Sequence, residues 1–164
     1  MCFLATKKEK MIHKNKLMNV SQISSFLNGF ATVLLTGAFD IVHNGHTRYL
    51  RKARDFGEPL IVGLHSDSLI EKRKGKRPIH NQAERAEMLS CYDFVDYIFI
   101  LDSQEDLEKV IRINIKPHTI VVSETTTDEA FSPSTIFELY SKDFYIRILP
   151  AQSEEHSSDY VKVK

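Results

Sequence analysis

Five runs of aliphatic and β-branched residues, at 31–36, 59–64, 96–101, 118–122 and 144–149, read as strands. Between them lie stretches with helical spacing at 46–56, 81–91, 103–114 and 133–141. In the first of these Leu50, Ala53 and Phe56 recur on one face. In the stretch 103–114 the apolar stripe is Leu107, Val110 and Ile111, and Ser103 is placed to cap the N-terminus with Asp106 three residues on. Val20 to Leu27 reads as a short helix ahead of the first strand. Strands alternating with helices predict an α/β domain, a parallel sheet covered by helices on both faces. No internal repeat or low-complexity stretch interrupts the pattern.

Composition narrows this picture. A chain of 164 residues, 42% of them hydrophobic and without a long apolar run, is long enough for one domain with a real core and carries no expected membrane span. Met1 to Lys16 differs in kind: Lys7, Lys8, Lys10, Lys14 and Lys16 crowd a segment with little apolar periodicity, which reads as a mobile leader. The expected division is therefore a basic leader over 1–18 and a folded domain over 19–164. Twenty-two basic residues balance 22 acidic ones, which argues against a general nucleic-acid binder. An RNA-binding reading rests only on the leader and the basic stretch 72–77. Two unpatterned cysteines, Cys2 and Cys91, and no signal-peptide core fit the cytoplasm.

Polar chemistry gathers where the first strand runs into the first long helix. Gly37-Ala38-Phe39-Asp40-Ile41-Val42-His43-Asn44-Gly45-His46 sets two imidazoles three residues apart at a helix entrance. Both rings then lie on one side, placed to donate to the same phosphoryl oxygens, beside backbone N–H groups that face a bound anion. Gly45 leaves out the Cβ that would hinder close approach of phosphate to backbone, and Gly37 is expected to do the same one turn earlier. For an isolated His-x-x-His the plain reading is one helix cap and one ordinary surface residue. The register of Gly, Phe-Asp, His, Gly and His behind a strand points instead to phosphate chemistry.

This pattern resembles the first signature of the cytidylyltransferase-like nucleotidyltransferases. That superfamily includes glycerol-3-phosphate and phosphoethanolamine cytidylyltransferases, heptose-phosphate adenylyltransferase domains, archaeal-type FAD synthetases and phosphopantetheine adenylyltransferases. The resemblance continues through Arg51 to Leu64, a helix, turn and second strand, and through His65-Ser66-Asp67, which is similar to the family's Ser/Thr-Asp. It implies a Rossmann-like three-layer sandwich with a five-stranded parallel sheet in the order 3-2-1-4-5 and a crevice beside His43. It also implies that His43 and His46 are catalytic, with Thr36, Gly37, Ala38, Phe39, Asp40 and Gly45 around the nucleotide. In the basic loop 72–77 the resemblance assigns lysines to the nucleotide and the acceptor phosphate, with Lys72, Lys74 and Lys76 as alternatives. Lys74 is taken as the catalytic candidate and the other two as phosphate-binding. Arg85 resembles the family arginine that meets the nucleotide; the alternative is a pair with Glu84 or a nearby aspartate.

The last third departs from the family. Where members carry a glycine-aspartate motif after the fourth strand, this chain reads Val121-Val122-Ser123-Glu124, which resembles the phosphopantetheine type and puts Ser123 at the nucleotide. After Leu149-Pro150 the hydroxyls of Ser157 and Ser158 stand where cytidylyltransferases place theirs, but the arginine position is Ala151 and the glycine-isoleucine pair is Glu154-Glu155. Arg147 and His156 are the candidate replacements for the missing cation.

The resulting expectation is a nucleotidyltransferase. It moves CMP, or alternatively AMP, from a Mg²⁺-bound NTP to a phosphorylated small molecule and releases pyrophosphate. CTP is slightly preferred to ATP, no metal ligand is assigned, and a homodimer rests on family analogy alone. The rival is a non-catalytic nucleotide-binding or regulatory relative with a decayed C-terminal signature.

Overall fold

In the computed structural model, which describes residues 16–152, the apolar runs become β1 (Val33–Gly37), β2 (Leu60–His65), β3 (Tyr97–Leu101), β4 (Thr119–Ser123) and β5 (Tyr145–Leu149). They pair in parallel in the order β3-β2-β1-β4-β5. The helices are α1 (Val20–Ser25), α2 (Asn44–Arg54), α3 (Asp67–Lys74), α4 (Gln82–Ser90), α5 (Gln104–Lys109) and α6 (Pro133–Tyr140). Strand side chains alternate between two apolar layers. Val33, Leu35, Leu60, Val62 and Leu64 pack with Leu50 and Ala53 of α2 and Leu89 of α4, whereas Leu34 and Ile61 pack with Ile23 of α1, Leu107 of α5 and Ile136 of α6. The period of two thus buries both faces of the central strands, while the edge strand β5 keeps Tyr145, Arg147 and Ile148 exposed, and the three-layer Rossmann-like sandwich follows.

The register from Val33↔Leu60 to Gly37↔Leu64 brings the C-terminal ends of β1 and β2 level. On the other side β1 pairs with β4, Leu35 opposite Val121, so the strand order reverses between these two. Ligands of open α/β sheets bind at such a reversal, because the crossover helices there leave to opposite faces.

Some boundaries differ from the expectation. α2 starts at Asn44 rather than 46, since the side chain of His43 caps it. The stretch 72–77 is not all loop: Lys72, Arg73 and Lys74 form the last turn of α3, which Ser66 caps by accepting from Leu69 N at 3.2 Å and Gly75 ends at φ 68°. Three cations at a helix C-terminus face the negative end of its dipole. The stretch 103–114 divides into α5 and a π-helical segment, Val110–Ile115; Ser103 caps α5 as expected, its Oγ accepting from Asp106 N at 3.0 Å.

Residues 16–18, placed by composition in the leader, lie along β3: Met18 N donates to Ile98 O and Ile98 N to Lys16 O, both at 2.9 Å. They cover that edge of the sheet. The rest of the expected leader lies outside the described residues. No helix among the described residues is long and apolar enough to cross a membrane.

Candidate active site

A cleft of about 790 Å³ opens at the C-terminal ends of the strands, beside the β1–β4 reversal. Thr36, Gly37, Ala38 and Phe39 line it from β1 and the following turn, with Asp40, His43, Gly45 and His46 next along the chain. Lys74 and Lys76 line it from the end of α3, and Ser123 from the end of β4.

The two imidazoles are oriented by backbone. His43 Nδ1 accepts from Gly45 N at 3.1 Å and His46 Nδ1 accepts from His43 N at 3.4 Å, a reciprocal capping box with both rings as acceptors. With Nδ1 accepting, each ring carries its proton on Nε2 and acts as a donor there. The ring centroids lie 4.1 Å apart. His46 has its pKa lowered from 6.5 to about 4, first by burial, then by His43 and the ammonium of Lys74. It is therefore neutral near pH 7, a hydrogen-bond donor that costs no proton. The cap reading of His43 leaves room for the phosphate-site expectation, since the same ring caps α2 and lines the cleft.

A strained turn aims this segment. Phe39 has φ 46°, an unusual conformation for a bulky residue, and its ring is buried, 5.4 Å from that of His46. A Cβ at Gly37 would stand 2.7 Å from Phe39 Cε2, so the packing of that ring already favours glycine there. The turn also delivers Asp40. Its carboxylate accepts from Ile79 N and His80 N, both at 3.0 Å, so the group sits at the cleft wall but is spent on pinning the loop after α3 to the loop after β1.

Arg85 is not among the residues lining the cleft. Its side chain is fully buried and donates to His80 O at 3.0 Å, Ala38 O at 2.6 Å, His65 O at 2.8 Å and Asp67 Oδ1 at 2.6 Å. Its partner is thus Asp67 rather than Glu84, whose carboxylate accepts from Asn81 N in the α4 capping box. One guanidinium ties together the three loops that carry the β1 turn, the end of β2 and the start of α4. The His65-Ser66-Asp67 run gains its structural meaning here: Ser66 caps α3 and Asp67 holds Arg85.

The basic residues divide. Lys74 and Lys76 face the cleft, Lys72 does not line it, and Arg73 bridges to Asp128 Oδ1 at 3.0 Å while lying over the Phe131 ring. Arg147 lies over Phe56, away from the cleft, and so does not stand in for the absent arginine. Ala151 lines the cleft at that position. Ser157, Ser158, Glu154, Glu155 and His156 lie outside the described residues. Ser123 Oγ is 2.8 Å from Thr125 Oγ1 and accepts from Thr125 N, opening a turn whose threonines also reach the cleft. These threonines and His65, a further lining residue, were not singled out by sequence. The motif neighbour of Ser66 was the only signal for His65.

The donor set suits an anion. Among the described residues no cluster of three His, Cys, Asp or Glu is arranged to hold a metal ion, and Asp40 and Asp128 are turned to backbone N–H groups and to Arg73.

A family model described as Cytidylyltransferase-like matches residues 34–162. Among curated proteins, the bifunctional protein HldE of Campylobacter curvus is 44% identical over 104 residues, covering 61% of this chain and 22% of that protein. The bifunctional protein HldE of Geotalea uraniireducens is 34% identical over 131 residues, 76% of this chain and 26% of that one. The chain therefore spans about a quarter of the length of these relatives. Among solved structures, a lipopolysaccharide core biosynthesis protein from Thermoplasma volcanium is similar with TM-score 0.63 and 26% identity, over 77% of this chain and 100% of that one.

Proposed function

We propose, because this chain belongs to the cytidylyltransferase-like family, that it moves a nucleotidyl group from a Mg-NTP to a phosphorylated small molecule. An oxygen of the acceptor's phosphate attacks the α-phosphorus in line; the new O–P bond forms as the bond to the β-phosphate oxygen breaks, and pyrophosphate leaves. The attacking oxygen is already anionic, so no side chain has to take a proton. Catalysis is then positioning plus charge stabilisation. His43 and His46 donate through Nε2 to the transferring phosphate, the N-terminus of α2 adds its backbone N–H groups, and Lys74 and Lys76 neutralise the phosphates that meet beside them. Ser123 bonds the nucleotide on the β4 side, with Ser157 and Ser158 as further phosphate contacts from the chain beyond β5.

The observation that carries this reading is the reciprocal cap of His43 and His46, which turns both Nδ1 atoms to backbone and both protons outward beside Lys74. Between the two branches named by the sequence resemblance, the likeness to HldE proteins and to a lipopolysaccharide core biosynthesis protein supports the heptose-phosphate adenylyltransferase branch. ATP is accordingly the donor we favour over CTP, and a sugar phosphate the acceptor. The non-catalytic reading draws on Ala151 in place of arginine, and Ala151→Arg tests it: a large gain in turnover would mean a crippled site.

The test is pyrophosphate release by the purified chain, with ATP or CTP against glycerol 3-phosphate and hexose and heptose 1-phosphates. Release that needs ATP and a sugar phosphate is expected. Nucleotide binding without release in any pairing would favour the non-catalytic reading.

A further inference from the structure

His65 ends β2 and lines the cleft, yet the chemistry above makes no use of it. It is 8% exposed, and its Nε2 is the one buried side-chain nitrogen or oxygen among the described residues without a hydrogen-bond partner. A polar atom kept dry and unpaired destabilises the fold, so its presence in a substrate cleft calls for a partner that arrives with the ligand. The imidazole is neutral: burial, then Lys74, Arg85 and Arg73, lower its pKa to about 3. A neutral ring offers one nitrogen as donor and one as acceptor, so Nε2 can pair with a hydroxyl, which both donates and accepts, in either tautomer.

Its surroundings select which substrate supplies that hydroxyl. The ring packs on Phe131 at 4.5 Å between centroids, and Ile70, Leu107 and Ile111 line the same cleft. A polyphosphate does not settle against such a wall, so what enters is an uncharged portion of a substrate. His65 stands immediately before Ser66, the cap of α3, and lines the same cleft as Lys74 at the other end of that helix, which puts it on the α3 side of the cleft. Ser123 and Ala151 mark the opposite, β4–β5 side, where the nucleotide is seated in the reading above.

We propose that His65 is a specificity-determining residue for the acceptor, its ring hydrogen-bonding a hydroxyl of the acceptor's carbon skeleton while the acceptor's phosphate reaches Lys74 and the paired histidines. The inference rests on the nucleotidyltransferase reading. Arg73, held over Phe131 by Asp128, flanks this part of the cleft.

The experiment uses the sugar phosphate that supports turnover and its deoxy analogues, with wild type, His65→Phe and His65→Leu. His65→Phe keeps a ring against Phe131 and deletes the polar atoms; His65→Leu serves if the first variant does not fold. The expected result is an acceptor KM about tenfold higher with nucleotide Kd unchanged, as for loss of one neutral hydrogen bond. One deoxy analogue should in addition lose affinity for wild type but not for the variant, a coupling that a structural role would not produce. An unchanged acceptor KM, or a shift in nucleotide Kd alone, overturns the assignment. Wild type that turns over no phosphate ester with either nucleotide overturns the underlying reading, and this one with it. In wild type, the His65 Nε2 resonance should also move when the acceptor is added; a resonance indifferent to acceptor counts against the proposal whatever the variants do.

Discussion

His43 and His46 each spend one nitrogen on backbone and present the other as a donor, and their separation of three residues at a helix entrance is what permits both. A neutral donor is suited to a transition state in which negative charge spreads over the transferring oxygens. His46→Ala is therefore expected to lower turnover about a hundredfold or more, with little change in thermal midpoint, because its ring is only partly buried and the helix keeps its cap at His43. Turnover within a few fold of wild type would remove His46 from the role. At this scale the sequence was informative about the histidines and silent about their neighbours. His-x-x-His behind a strand is a local pattern, while the meaning of Phe39, with φ 46°, and of His65, with its unpaired Nε2, depends on atoms from elsewhere in the chain. Gly37 shows the same limit: its spacing suggested room for phosphate, and its second neighbour, the Phe39 ring packed where a Cβ would stand, could not be read from the spacing.

At the scale of elements, three loops from different parts of the chain must keep their relative positions for the cleft to exist, and Arg85 is the fastener. It donates to Ala38 O, His65 O, His80 O and Asp67 from a fully buried position. Arg85→Met would leave three carbonyls and a carboxylate short of a donor, with an expected loss of about 3 kcal/mol or more. Denaturant titration measures this, and a midpoint unchanged from wild type would show that the loops hold without it. The strands were legible because each is rich in aliphatic and β-branched residues, β5 being interrupted by Arg147. α3 was not, because its buried residues Leu69 and Ile70 are adjacent rather than spaced at helical intervals, and its cations read as loop. The stretch 103–114 was legible as helical but not as π-helical beyond Lys109, since a wider turn leaves no mark on apolar spacing.

For the whole molecule, alternation of strand and helix was enough to give a parallel sheet with both faces covered. The strand order came from the family resemblance, because spacing along the chain does not state which strands are neighbours. The fold has a consequence for acid stability. His46 and His65 have pKa values lowered to about 4 and about 3 from 6.5, so between those values and 6.5 the unfolded chain binds protons that the folded chain does not. Their neutral burial contributes stability in full above pH 6.5, and that contribution is lost progressively as pH falls towards 4 and then 3. Thermal midpoints taken across this range should fall with pH in wild type and fall less steeply in His65→Phe; equal slopes would contradict the burial of a neutral imidazole. The most direct test of the central claim, that the cleft beside the β1–β4 reversal is a nucleotide site, is calorimetric titration of the purified chain with ATP and with CTP, each with and without Mg²⁺. Saturable binding of Mg-ATP at one site per chain is predicted, and binding of neither nucleotide would contradict it.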